Sequence, residues 1–90
     1  MVTVRLFAAL RELVGQREVH LPGDGASIKQ LVSDFAEKYG ESARRALFDK
    51  EGRIWESVVL VLNDEVLDRK SDVHVAAGDV VSILLPTAGG

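Results

Sequence analysis

The sequence predicts an α+β domain, and three observations carry that prediction. Segments with the apolar spacing of strands stand near both ends, at residues 2–7 and 80–85. Between them, residues 27–39 have the apolar stripe and the start signal of an amphipathic helix. A third apolar run, 57–62, is rich in β-branched residues and too short for a helix of ordinary length. Nothing repeats along the chain and no linker divides it, so its 90 residues, 47% of them hydrophobic, make one domain with one core. There is no Cys, so neither disulfides nor Cys-ligated zinc support that core.

Taken in order, Val2, Val4 and Leu6 alternate with polar neighbours and predict a strand with one buried face. Leu10, Leu13 and Val14 follow at helical spacing, and Gly15 is a natural stop. A second alternating stretch points Val19 and Leu21 inward before Pro22-Gly23-Asp24-Gly25 turns the chain. Ser27 then opens the helix, its hydroxyl accepting from the backbone near Gln30 while Gln30 reaches back, with Ile28, Leu31, Val32, Phe35 and Tyr39 on the buried face. Gly40 ends it, residues 42–47 add a short helix, and 48–53 form a surface turn centred on Gly52. The run 57–62 is expected to be covered on both sides or to border a partner. Asn63-Asp64 turns it into a short return at 65–67, and 73–75 is another extended piece. In the last strand Val81, Ile83 and Leu85 share one face, and Val80, Ser82 and Leu84 the other.

Pro86 closes that strand because it has no amide hydrogen for a ladder. Thr87, Ala88, Gly89 and Gly90 follow, with nothing large enough to hold them down. Residues 1–85 are thus expected to form a base and 86–90 a flexible tail, which at ~3.3–3.6 Å per residue reaches on the order of 17 Å. A chain ending in two glycines can follow a narrow channel into another protein and turn through angles that a Cβ would restrict. An unbranched terminal carbon also leaves room for in-line attack. Gly90 would therefore present a reacting carboxyl group, and Gly89 would admit it.

Other chemistry finds little support. His20 and His74 have no Cys beside them and no second His at ligand spacing, so no metal is expected. Gly23-Asp24-Gly25 places Ile28 where the third glycine of a dinucleotide fingerprint belongs, and no phosphate loop or Gly-x-Ser-x-Gly elbow occurs. The net charge of −3, in a mixed pattern, argues against nucleic acid. No apolar run is long enough for a membrane span and no secretory signal opens the chain, which points to the cytoplasm and away from membranes. Arg44-Arg45 reads as a solvated helix face or a docking patch for an acidic partner. Lys29, Lys38, Lys50 and Lys70 are expected to be exposed and able to accept an acyl group. Phe7, Leu60, Leu62 and Leu84 are candidates for an apolar partner surface beside the tail, with an ordinary core as the alternative.

Residues 4–15, with Phe7-Ala8 and Arg11-Glu12-Leu13 followed by Gly15, the turn Gly78-Asp79, and the ending Leu85-Pro86-Thr87-Ala88-Gly89-Gly90 resemble the ubiquitin-like sulfur carriers. Within them the likeness is to the small subunit of molybdopterin synthase and the archaeal small modifier proteins. The resemblance implies a β-grasp fold, a mixed sheet of four or five strands packed on the 27–39 helix, with the first and last strands adjacent and parallel at its centre. It implies that an E1-like enzyme adenylates the Gly90 carboxylate with ATP and magnesium, this chain binding no cofactor itself, and that a thiocarboxylate follows. A carboxylate with a reference pKa near ~3.5 is ionised at neutral pH and a poor electrophile, which is why such activation is needed. The chain would then be a carrier rather than an enzyme, giving sulfur to a pterin precursor with the large synthase subunit. Alternatives are a modifier joined by isopeptide bonds to target lysines, and a β-grasp interaction module with an inert tail. Many small subunits of the synthase carry a longer tail with two prolines, where this chain has Pro86 alone.

Overall fold

The computed structural model describes residues 1–68 and 73–85. Five strands and three helices follow in the order β1 Val2–Leu6, α1 Ala8–Val14, β2 Glu18–Leu21, α2 Ile28–Tyr39, α3 Glu41–Leu47, β3 Val59–Leu62, β4 Glu65–Val66 and β5 Val80–Leu84. The strands form one mixed sheet in the order β2-β1-β5-β3-β4. Only β1 and β5 run parallel, with Val4 beside Val81 and Leu6 beside Ile83; the other neighbours are antiparallel. This is the β-grasp arrangement, with the first and last strands side by side at the centre.

Alternation decides the faces. Val2, Val4, Leu6, Val19, Leu21, Val81 and Ile83 are all buried, and they meet Ile28, Leu31, Val32, Phe35 and Ala36 of α2 in one core that also takes Leu10, Ala43 and Leu47. Among the described residues no polar or charged side chain is buried. The core is held by area removed from water, at about 25 cal/mol per Å² of apolar surface, and not by buried polar networks.

Ser27 caps α2 as expected, its Oγ accepting from the Gln30 N–H at 3.1 Å. The reciprocal half of the box, Ser27 N–H donating to the Gln30 side-chain oxygen, is not formed, and Gln30 Nε2 donates to Asp34 Oδ1 at 2.8 Å, one helical turn on. The backbone around the cap is already tied down: Ser27 bridges His74, Ile28 N–H donates to Val73, and Val75 N–H donates to Ala26. The extended piece expected at 73–75 thus serves as a staple on the start of α2 rather than as a strand of the sheet.

Three further details are set by the structure. Leu13, which follows Leu10 at helical spacing, is 41% exposed, since seven residues of helix bring only Leu10 fully into the core. The third apolar run begins its strand at Val59, two residues later than expected, because residues 56 and 57 still turn the chain and Val58 N–H bonds back to the Trp55 carbonyl. That strand is covered on one side only: Leu60 and Leu62 pack against the core, whereas Val59 is 41% exposed.

Gly40 stands at the α2–α3 corner with φ 95°, a conformation that needs no Cβ. Gly23 is constrained by space instead, since a Cβ there would lie 2.7 Å from Leu31 Cδ1 and 3.7 Å from Val2 Cγ2. Leu31 and Val2 are both buried, so neither can yield without repacking the core. Gly23→Ala should therefore lower stability by ~1–3 kcal/mol, the usual range for overpacking. Urea denaturation measures it, and an unchanged midpoint would show that Leu31 has room the structure does not show.

Candidate functional site

The site is built where the central strands end. Ile83 is buried against Leu6 of β1, so in parallel register the next residues, Phe7 and Leu84, come side by side at the rim of the sheet. On the other flank Leu84 faces Val59, the first residue of β3. Leu85 turns back to the core side and packs against it. The chain therefore leaves the sheet from between β1 and β3, anchored by Ile83 and Leu85.

Phe7 is held at that rim by the backbone. It has an extended conformation, φ −133° and ψ 154°, and caps α1 with its carbonyl, which accepts from Leu10 and Arg11 N–H at 3.2 and 3.4 Å. Ala8 then takes φ 48°, a left-handed conformation that costs a residue with a Cβ roughly 1–2 kcal/mol. That bend stops β1 abruptly and leaves the Phe7 side chain 38% exposed beside the exit.

Leu84, Val59, Val61 and Val66 continue an apolar strip along the outer side of β5, β3 and β4, where Val61 pairs with Val66, itself 67% exposed. Thr3, Arg5, Glu18 and His20 occupy the same side of β1 and β2. The outer face is therefore divided, polar toward β2 and apolar toward β4. Of the four apolar candidates, the structure brings Phe7 and Leu84 together on this outer side and sets Leu60 and Leu62 on the core side, half-buried. The tail candidates Pro86, Thr87, Ala88, Gly89 and Gly90 lie outside the described residues, as does Lys70.

Sequence reading missed Val59, Val61, Val66 and Trp55. For the valines the signal was strand parity: once Leu60 and Leu62 are assigned to the core, their odd-numbered neighbours must face out. Trp55, 44% exposed, lacked any such signal, because it lies in an irregular loop.

Outside this end the described residues supply no catalytic constellation. No three His, Asp or Glu side chains among them come close enough to hold a metal ion. His20 Nε2 is 3.7 Å from Glu18 Oε2 on the exposed sheet face, and His74 lies in the staple over α2. No helix of the described residues is long and apolar enough to cross a membrane.

Comparison with known proteins supplies the remaining findings. The model of the ThiS family matches residues 4–90. No curated protein sequence matches the chain. Among solved structures, it is similar to small archaeal modifier protein 1 from Methanosarcina acetivorans, with a TM-score of 0.83 and 25% identity over 99% of this chain and 95% of that one. CysO of Mycobacterium tuberculosis, described as an antigen, is 31% identical over 97% of this chain and all of its own, with a TM-score of 0.75. A Pyrococcus furiosus protein described as a molybdopterin converting factor subunit 1 is 27% identical over 96% and 97%, with a TM-score of 0.68.

The two sides of the exit should respond differently to truncation. Ile83→Ala, in the core, should cost ~2–5 kcal/mol, whereas Phe7→Ala, at the open rim, should cost about 1 kcal/mol or less. Equilibrium unfolding of both variants checks this, and equal losses would place Phe7 in the core.

Proposed function

Since the chain belongs to the ThiS family of ubiquitin-like sulfur carriers, we propose that it carries sulfur on its own carboxyl end for molybdopterin synthesis. The observation that carries this reading is the reach of the family match, which runs through residue 90 and so takes in Gly89 and Gly90. The likeness to the Pyrococcus furiosus converting-factor subunit favours a pterin as the destination.

The chemistry begins from an ionised carboxylate, which must be made electrophilic before sulfur can attack. A Gly90 oxygen attacks the α-phosphorus of ATP held with magnesium in an E1-like partner, and pyrophosphate leaves. Hydrosulfide then attacks the acyl carbon through its sulfur, the acyl–oxygen bond breaks as AMP departs, and loss of the proton on sulfur leaves a thiocarboxylate. The large subunit of molybdopterin synthase would bind the charged chain and direct that sulfur to the pterin precursor. The role of this domain is to place the end and to be recognised. The apolar strip around Phe7 and Leu84 offers recognition beside the exit, because exposed aliphatic and aromatic side chains gain most from being covered.

A second reading has its own support. The similarity to an archaeal modifier protein favours transfer of the activated acyl group to lysine amines, with an isopeptide bond formed and AMP released. One activation step serves both fates, and the nucleophile decides between them.

Intact mass spectrometry tests the carrier reading, and lysine adducts test the modifier. Incubation of the full chain with the activating enzyme, ATP, magnesium and a sulfur donor should add the mass difference of one sulfur for one oxygen, and a Gly90→Arg variant should show no change. An unchanged wild-type mass would contradict the carrier, and the further absence of lysine adducts would contradict the modifier and leave an interaction module. Lysine adducts ending in Gly-Gly on digested cellular proteins would favour the modifier.

A further inference from the structure

Behind the sheet, on the side of the helices, Trp55 stands between two adjoining grooves that share Phe48 and Trp55 in their walls. The smaller, about 490 Å³, is lined by Phe48 and Trp55, by Arg44, Arg45 and Lys50, and by the carboxylates of Glu41 and Asp49. The Trp55 ring is held in place from two directions. Its Nε1 donates to the Arg45 carbonyl at 3.0 Å, and its backbone N–H donates to the Leu47 carbonyl at 3.0 Å. An aromatic side chain 44% exposed yet fixed by such bonds loses little freedom when a partner covers it.

The charges around the ring are not evenly engaged. Glu41 Oε1 lies 3.6 Å from Arg45 Nε. Asp49 Oδ1 accepts from the backbone N–H of Glu51 and of Arg53, each at 2.9 Å. Glu41 is thus matched by Arg45, whereas Asp49 is bonded to neutral amides and keeps its charge, and the three cations of the lining still outnumber its two carboxylates. Arg44 and Lys50, among the described residues, have no carboxylate within ion-pair distance, and Arg44 lies over the Phe48 ring, its Cζ 5.8 Å from the centroid. The groove therefore combines an aromatic wall with two cations that have no internal counterion.

We propose that this groove binds an acidic segment of a partner protein, with a leucine or phenylalanine against Trp55 and carboxylates against Arg44 and Lys50. Its location gives the contact a use. Trp55 precedes β3 by one turn, its carbonyl accepting from Val58 N–H at 3.0 Å, and β3 begins at Val59 beside Leu84. A partner gripping Trp55 would hold the same end of the sheet from which the chain runs on to Gly90. This grip lies on the helical side, whereas the strip around Phe7 and Leu84 lies on the outer side, so one enzyme could embrace the exit from both. The identity of the partner rests on the carrier reading; the binding itself does not require Gly90.

Trp55 is the only tryptophan in the chain, so its own fluorescence reports on the groove. The full chain is titrated with a synthetic peptide of glutamates flanking two leucines, and with the same peptide bearing lysines for glutamates. The acidic peptide should give a saturable blue shift that weakens with added salt, and the lysine peptide none. R44E/K50E should weaken binding roughly tenfold or more, with R44Q/K50Q as a milder pair if the charge reversal disturbs folding. A chain lacking Gly90 should bind unchanged, which keeps this result separate from that of the activation assay. No saturable shift, an equal response to the lysine peptide, or wild-type affinity in both double variants would overturn the proposal.

Discussion

The parallel pairing of β1 with β5 is the constraint from which the other features follow. It places the start of the chain and the last described strand side by side in the middle of the sheet, with Val4 beside Val81 and Leu6 beside Ile83, all of them buried. Parallel neighbours need a crossover, and here everything from α1 to β4 supplies it, with α2 laid across the core face. Because the pair is central, the carboxyl-terminal strand has a hydrogen-bonded partner on each flank, β1 on one side and β3 on the other. A segment tied on both sides cannot peel away without breaking two ladders, so the exit point at Leu84 and Leu85 is fixed relative to the rest of the domain.

That placement connects the core to the chemistry. No polar side chain is buried among the described residues, so none of them offers an interior group to tune as an acid, base or nucleophile. On the proposed reading, activation of the chain's end falls to a partner, and the surface has to secure that partner. Two features of the same end are suited to this: the bend at Ala8 that leaves Phe7 beside Leu84, and the loop that fixes Trp55 against α3. Both are local departures from regular structure, and local departures of this kind are often where a rigid scaffold carries its function.

The fold was largely legible because short strands with one buried face write their parity into the sequence. Val2, Val4 and Leu6, then Val19 and Leu21, then Val81 and Ile83 all read correctly for that reason. The Ser27 cap was equally legible, since hydroxyl, spacing and apolar stripe occur together. What failed depended on information from elsewhere in the chain. Gln30 had a second partner, Asp34, one turn along the helix, and the staple from residues 73–75 lay too far along the sequence to be foreseen. The run around Leu60 is apolar at every position, so period-two parity left its facing undecided until β5 fixed the register. Trp55 follows no period at all; only the folded position of Arg45 and Leu47 explains its orientation. Of the candidate site, the Phe7 and Leu84 pairing follows from strand register, while the separation of Leu60 and Leu62 from it does not follow from composition.

The central proposal is a division of labour in which residues 1–85 supply the folding stability and residues 86–90 supply the chemistry. Urea unfolding of the full chain against a chain ending at Leu85 tests it most directly. The account predicts midpoints that agree to within about 0.5 kcal/mol, the scatter expected of changes away from the core. A loss of several kcal/mol in the shortened chain would mean that residues 86–90 belong to the folded domain, and would contradict the account.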